Sequence, residues 1–376
     1  MLFEFLTGPP DRTTFVTLTV TMLSPLENYR WPAEWEPHAA TWASWPVNPA
    51  TWPGTFERIP AAYAELIAAI ACFEPANVLL AAELQNAENR RLLEDACERR
   101  GSSFPATFVD IPVNDSWCRD HGPLFLSGRP DSAAANSQLI LNWDYNAWGG
   151  KYPPWNLDNE VPGRIAQLLN IPTLRPWLIL EGGAIEGNGQ GTVLTTDSCL
   201  LNTNRYPKPN RAAMTDTLCF WLQAEKVVWL PGHGVLGDDT DGHIDQIARF
   251  VDETCVLVAA TTDDDAPEAP DLRANAAAIS AATNSRGQTL RPVLLPLPAA
   301  AFEGESRLPA SYCNFIHVNG AVIVPTFRDP ADDTAMQILQ ECWPDRRIVG
   351  VDCLDLIWGL GGFHCLTQQQ PLAGLQ

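Results

Sequence analysis

Positive charge is scarce in this chain: 24 Lys and Arg stand against 45 Asp and Glu, a formal net charge of −21 over 376 residues. A surface of that sign repels nucleic acid and anionic membranes and attracts a small cationic substrate. Acidity also serves solubility, so it narrows the choice of partner without naming one. No apolar stretch approaches the roughly 18 residues of a membrane span. The ten cysteines form no C-x-x-C pair, which argues against a zinc site. Most lie in apolar runs, as Cys219 and Cys255 do, and read as buried free thiols in a reducing cytosol. The first 22 residues, with Glu4, Pro9, Pro10 and Asp11, lack the charged start and apolar stretch of a signal peptide. Met22 offers a second start. The expectation is a soluble cytoplasmic protein: residues 1–30 form an extension, partly disordered or peripheral, and residues 31–376 form one domain.

Hydrophobic residues make up 46% of the chain, enough for a sizeable core. Apolar periodicity predicts helices over 59–72, 87–100, 211–225, 266–283 and 332–342. The second has an N-cap candidate in Asn86 and a stop signal in Arg99-Arg100-Gly101. Short apolar strands are expected near 77, 226, 291 and 347. A second recurrence is visible. Segments starting at Glu36, Asp120, Gly189, Asp252 and Asn319 each place a turn or polar stretch before a short apolar strand, at spacings of about 60 to 80 residues. A mixed α/β unit used five times fits that pattern and would close into a ring with a central cavity. An ordinary α/β sandwich remains the alternative.

The residues that carry chemistry are scattered. Trp358-Gly-Leu-Gly-Gly-Phe-His-Cys365 puts a cysteine after a glycine-rich turn, where a backbone can approach a ligand closely. Gly237-Asp-Asp-Thr-Asp-Gly-His243-Ile-Asp245 gathers four aspartates and a histidine within nine residues. On a strand His243 and Asp245 would share a face; on a helix they would diverge. The spacing and terminal Glu of an EF-hand are missing, which disfavours calcium. A histidine beside carboxylates holds its proton and suits general acid work followed by base work. His364 adjoins Cys365, but neighbours on a strand point to opposite faces, so it is the weaker base candidate. In Asn114-Asp-Ser-Trp117-Cys-Arg-Asp120-His, an indole and a carboxylate could wall and anchor a flat cation; a capped loop with an Arg–Asp pair explains the segment equally. Glu181-Gly-Gly reads either as a carboxylate brought to a ligand or as a simple turn. Asn202-Thr-Asn-Arg205 and Ser311-Tyr-Cys-Asn314 read first as turns or helix caps, with support of the site as the second reading.

Taken in order, these blocks resemble the agmatine deiminases of the guanidino-group-modifying, or pentein, superfamily. The resemblance runs from about residue 31 to 371 and includes the Trp31-Pro-Ala-Glu-Trp-Glu-Pro-His block. It implies a five-bladed pentein α/β propeller with pseudo-five-fold repeats around a central active site. It makes Cys365 the nucleophile, His243 the general acid/base, and Asp120 and Asp245 the carboxylates that hold a guanidinium. Glu181, Trp117 and Asp239 would line the substrate, Asp239 toward its amine end. The implied reaction hydrolyses agmatine to N-carbamoylputrescine and ammonia through an amidino-cysteine, toward putrescine, with no metal or organic cofactor. A homodimer would be unsurprising. Cys118 and Cys313 stand where other small or apolar residues are expected, and Cys118 is a candidate for oxidation. The alternatives are a guanidine hydrolase acting on arginine or peptidyl-arginine, and a ring that binds without turnover. An α-carboxylate would need a cationic partner, for which Arg119 and Arg205 are the candidates.

Overall fold

The computed structural model of the chain describes residues 26–299, 302–303 and 306–374. It is a mixed α/β fold. Five sheets of three or four strands account for most strand residues, and a two-strand hairpin, Phe302–Glu303 with Ser306–Arg307, stands apart. Each of the five sheets pairs one strand antiparallel on one side and parallel on the other. The pivot strands are His38–Ser44, Gln138–Leu141, Thr192–Thr196, Cys255–Ala260 and Ala321–Thr326. A parallel neighbour cannot be reached by a hairpin. Here it is reached through Ile59–Ile70, Val161–Leu169, Arg211–Leu222, Ala269–Ala281 and Ala331–Cys342 in turn.

Four of the five recurrent segments are the pivots. The segment at Asp120 is a strand, Leu124–Gly128, but its partners on both sides, Tyr29–Arg30 and Gln138–Leu141, are antiparallel. It therefore fills the place before the pivot. Both strands of this hairpin are fully buried, so apolar content does not tell them apart. The helix Val161–Leu169 is unannounced in the pattern, because Pro162 and Gly163 occupy its first turn. The other expected helices form within a few residues of their expected bounds.

Residues 26–30, assigned to the extension, belong to the folded body. Leu26 is buried, and Tyr29 and Arg30 pair with Gly128 and Ser127. Residues 1–25 lie outside the described residues. Among the described residues no helix is long and apolar enough to cross a membrane.

The chain ends close on each other. Thr367–Pro371 runs antiparallel to His38–Ser44, so the C-terminal strand completes the sheet begun near the N-terminus. Before the antiparallel strand of each sheet stands one helical turn: Cys118–His121, Gly182–Ala184, Ile244–Gln246, Tyr312–Asn314 and Phe363–Leu366.

Capping follows the sequence signals. Asn86 accepts from the Asn89 backbone N–H, and Gly101 ends the helix Ala87–Arg100 at φ +65°. An added Cβ at Gly101 meets nothing within 4 Å, so its cost is purely conformational. Gly101→Ala should lower stability by about 1 kcal/mol in chemical denaturation, with activity intact.

Candidate active site

The five turns bring the dispersed motifs together. Asp120 lies in the first and Glu181 opens the second. His243 opens the third, which carries Asp245 and Gln246; Asn314 lies in the fourth and Cys365 in the fifth. Each turn touches the next, and the fifth touches the first. His243 and Asp245 therefore converge without a strand. The Asp120, Glu181, His243, Asp245 and Cys365 side chains are all buried.

Gly183 is the hub. A Cβ there would lie 2.6 Å from His243 Nδ1, 2.7 Å from Asp120 Oδ1 and 3.0 Å from Asp245 Oδ2. The glycine is required by space, since its φ is not positive. The same holds in the loop before Cys365. Gly361 leaves room for the Trp117 ring at 2.3 Å and Cys365 Cβ at 3.0 Å, and Gly362 for Asn314 Oδ1 at 2.8 Å. In that loop the positive φ belongs to Leu360.

Asp120 is held on both oxygens. The Gly183 N–H donates to Oδ1 at 2.9 Å and the Trp148 Nε1–H to Oδ2 at 2.9 Å. His243 Nδ1 is 3.5 Å from Oδ1. Burial raises the Asp120 carboxyl to about 6, with Asp245 and Glu181 adding to the rise and His243 opposing it. Burial works against charge on His243, but Asp120, Cys199 and Glu181 outweigh it and lift the imidazole to about 10. Glu181 takes Arg205 Nε on both oxygens, at 3.0 and 2.9 Å, and is 3.9 Å from His243 Nε2. Burial likewise opposes the Asp245 charge, and the His364 contact wins, holding that carboxyl below its ordinary range.

Cys365 Sγ receives the Asn314 Nδ2–H at 3.2 Å and the Gln246 Nε2–H at 3.8 Å, and its thiol points to Asp245 Oδ2 at 3.6 Å. Its backbone N–H donates to Asn314 Oδ1 at 3.2 Å. Burial, then the charges of Asp245 and Asp120, push the thiol well above its usual value. The same buried carboxylates thus favour a neutral thiol on Cys365 and a charged imidazole on His243. Several buried atoms here have no hydrogen-bond partner in the protein: both His243 ring nitrogens, Asp245 Oδ1 and Gln246 Oε1.

Trp117 stacks on Trp52 at 5.9 Å and meets Trp148 edge-on at 6.2 Å, making an aromatic wall beside Cys365. Asp239 lies at the rim, half-buried, accepting from the Tyr152 hydroxyl; Tyr152 in turn packs edge-on against Trp148 at 5.7 Å. Arg119 donates to Gln369 Oε1 and the His364 carbonyl and lies 3.7 Å from Glu34. Arg205 is spent on Glu181, Asp241, Asn204 and the Thr240 carbonyl. Cys118 and Cys313 are buried with thiols pushed up to about 12 by desolvation, so Cys118 is shielded from oxidation and not exposed to it.

The sequence did not mark Trp148, and it offered a supporting role for the segments of Asn314 and Arg205 only as a second reading. Asn314 and Arg205 sit in segments that read as turns, and Ser311 does cap one, accepting from the Cys313 N–H. Trp148 signals only through its neighbours Gly149 and Gly150: Ala147, Trp148 and both glycines all have positive φ. Two clusters have metal-ligand composition, Glu181 with Cys199 and His243, and Glu34 with Glu186 and His364. In each, carboxylates already pair with a buried arginine, Arg205 or Arg249. A groove of about 680 Å³, lined by Arg30, Arg129, Gly189, Glu225 and Arg286 among others, contains none of the site residues.

Known proteins resemble this chain in sequence and in fold. The pattern of the family described as Porphyromonas-type peptidyl-arginine deiminase matches residues 30–371. An agmatine deiminase of Pseudomonas fluorescens is 35% identical over 368 residues, covering 92% of this chain and 96% of that protein. The solved agmatine deiminase of Enterococcus faecalis superposes with a TM-score of 0.84 at 30% identity, over 93% of this chain and 98% of that one. A Cys-to-Ser variant of C. jejuni agmatine deiminase with substrate bound superposes with a TM-score of 0.81 at 26% identity, over 93% and 97%.

The hub glycine gives a test. Gly183→Ala must displace His243, Asp120 or Asp245, and displacement of about 1 Å costs on the order of 100-fold in rate. Turnover should fall at least that far, with the melting temperature showing that the fold survives.

Proposed function

The chain belongs to the Porphyromonas-type peptidyl-arginine deiminase family, and from that premise we propose that it is an agmatine deiminase, hydrolysing agmatine to N-carbamoylputrescine and ammonia. One observation carries the chemistry: buried around a cysteine, Asp245 Oδ1 has no partner and Asp120 and Glu181 stand close by. Unpaired buried acceptors of negative charge are costly, and a planar cation rich in N–H groups relieves that cost.

Asp120 and Asp245 hold the guanidinium, and Trp117 covers its face. The cation offsets the carboxylates that keep the Cys365 thiol protonated, so the proton leaves to solvent as substrate arrives and returns to the sulfur after the C–S bond breaks. Sγ then bonds to the guanidinium carbon. His243, charged at neutral pH, gives a proton to the departing nitrogen, and the C–N bond breaks to release ammonia. The neutral imidazole next takes a proton from water, whose oxygen bonds to the carbon as the C–S bond breaks. One guanidinium and one water enter; one ureido group and one ammonium leave.

The substrate's other end favours agmatine. An arginine α-carboxylate needs a free cation, yet Arg119, Arg205 and Lys151 are all engaged, Lys151 with Asp241 at 3.0 Å. Asp239, at the rim beside Tyr152, suits an amine. The five contacting turns support a five-bladed ring closed by the C-terminal strand, all within one catalytic domain.

The test is release of ammonia and ureido product from agmatine and from arginine in parallel. Agmatine should turn over, arginine should not, and Cys365→Ser should abolish turnover while still binding substrate. Asp120→Asn should damage both. Near-normal activity in Cys365→Ser would sink the mechanism, and turnover of arginine alone would move the specificity.

A further inference from the structure

We infer that His364 is a positioning residue: held between Asp245 and Glu34, its ring fixes Asp245 and presents one oxygen of that carboxylate to substrate. The inference rests on Cys365 being the nucleophile. His364 lies in the turn Phe363–Leu366, where strand alternation does not apply, and is buried. Its Nδ1 is 2.8 Å from Asp245 Oδ2 and its Nε2 is 2.8 Å from Glu34 Oε2. Contacts at both ring nitrogens leave the imidazole no freedom to rotate, and the Asp245 oxygen it meets is held with it.

Behind His364, Glu34 also meets Arg249 at 2.5 Å and Arg119 at 3.7 Å, and Arg249 meets Glu186 at 3.1 Å. Toward the thiol stands Asp245. Glu34 is thus anchored from behind, and the ring cannot turn away from Asp245 without giving up buried polar contacts, which is expensive.

The consequence falls on one atom. Asp245 Oδ2 faces both the His364 ring and the Cys365 thiol, while Oδ1 has no protein partner. His364 thus pins Oδ2, leaves Oδ1 for the guanidinium, and screens the thiol from the carboxylate. Without it, Asp245 is free to turn and holds the thiol's proton more tightly.

The direct experiment is the rate of Cys365 alkylation by iodoacetamide against pH, in wild type and in His364→Gln and His364→Phe, with circular dichroism and melting to confirm folding. The thiol midpoint should rise by about one pH unit or more in both variants, slowing alkylation at neutral pH about tenfold. A folded variant with the wild-type midpoint would overturn the inference, whatever its activity. Should neither variant fold, ¹⁵N spectra of histidine-labelled wild type decide. An N–H at His364 Nδ1, the nitrogen facing Asp245, supports the inference; a bare Nδ1 contradicts it. Because alkylation needs no agmatine, failure of the substrate reading leaves this result readable.

Discussion

Three buried carboxylates, two of them bearing on the Cys365 thiol, set the terms for this structure. Asp120, Glu181 and Asp245 are removed from water, and a carboxylate buried without compensation is one of the most costly groups a protein can contain. Each is met by something specific. Glu181 has Arg205, Asp245 has His364, and Asp120 has a backbone N–H, an indole N–H and the His243 ring. What the protein does not satisfy is one oxygen of Asp245 and the imidazole's own nitrogens. The same charges that demand compensation push the thiol toward its protonated form and the imidazole toward its charged form, and under the proposed reaction an entering cation offsets them. Binding and activation are then one electrostatic event.

The arrangement depends on closing the chain. Asp120 and Cys365 are separated by most of the sequence, yet their turns touch, because Thr367–Pro371 pairs with His38–Ser44. Glycines then set the spacing. Gly183, Gly361 and Gly362 each leave room for a functional side chain that any Cβ would displace. The site is precise because backbones and rings are packed against each other, and such packing tolerates little displacement.

Much of this was legible in the chain itself. Cys365, His243, Asp245 and Asp120 stand in segments too polar and too glycine-rich to be ordinary core, and the five recurrent strands marked a repeated unit. What was not legible depends on long-range geometry. His364 is discounted by an alternation that holds for strands, whereas its segment is a helical turn. Asn314 looks like a turn residue and is one, and only the folded chain puts its amide on a sulfur 51 residues away. Trp148 reaches Asp120 because its backbone adopts a left-handed conformation that its own residue type does not advertise. The second repeat was shifted by one strand because both strands of its hairpin are equally buried.

The central claim is that Cys365 becomes covalently bonded to the guanidinium carbon. Acid quenching during turnover of agmatine, followed by mass spectrometry of the peptide containing Cys365, tests it most directly. The account predicts a mass increase equal to agmatine less ammonia, confined to that cysteine. Steady turnover with Cys365 unmodified at every quench time, or the adduct on another residue, would contradict it.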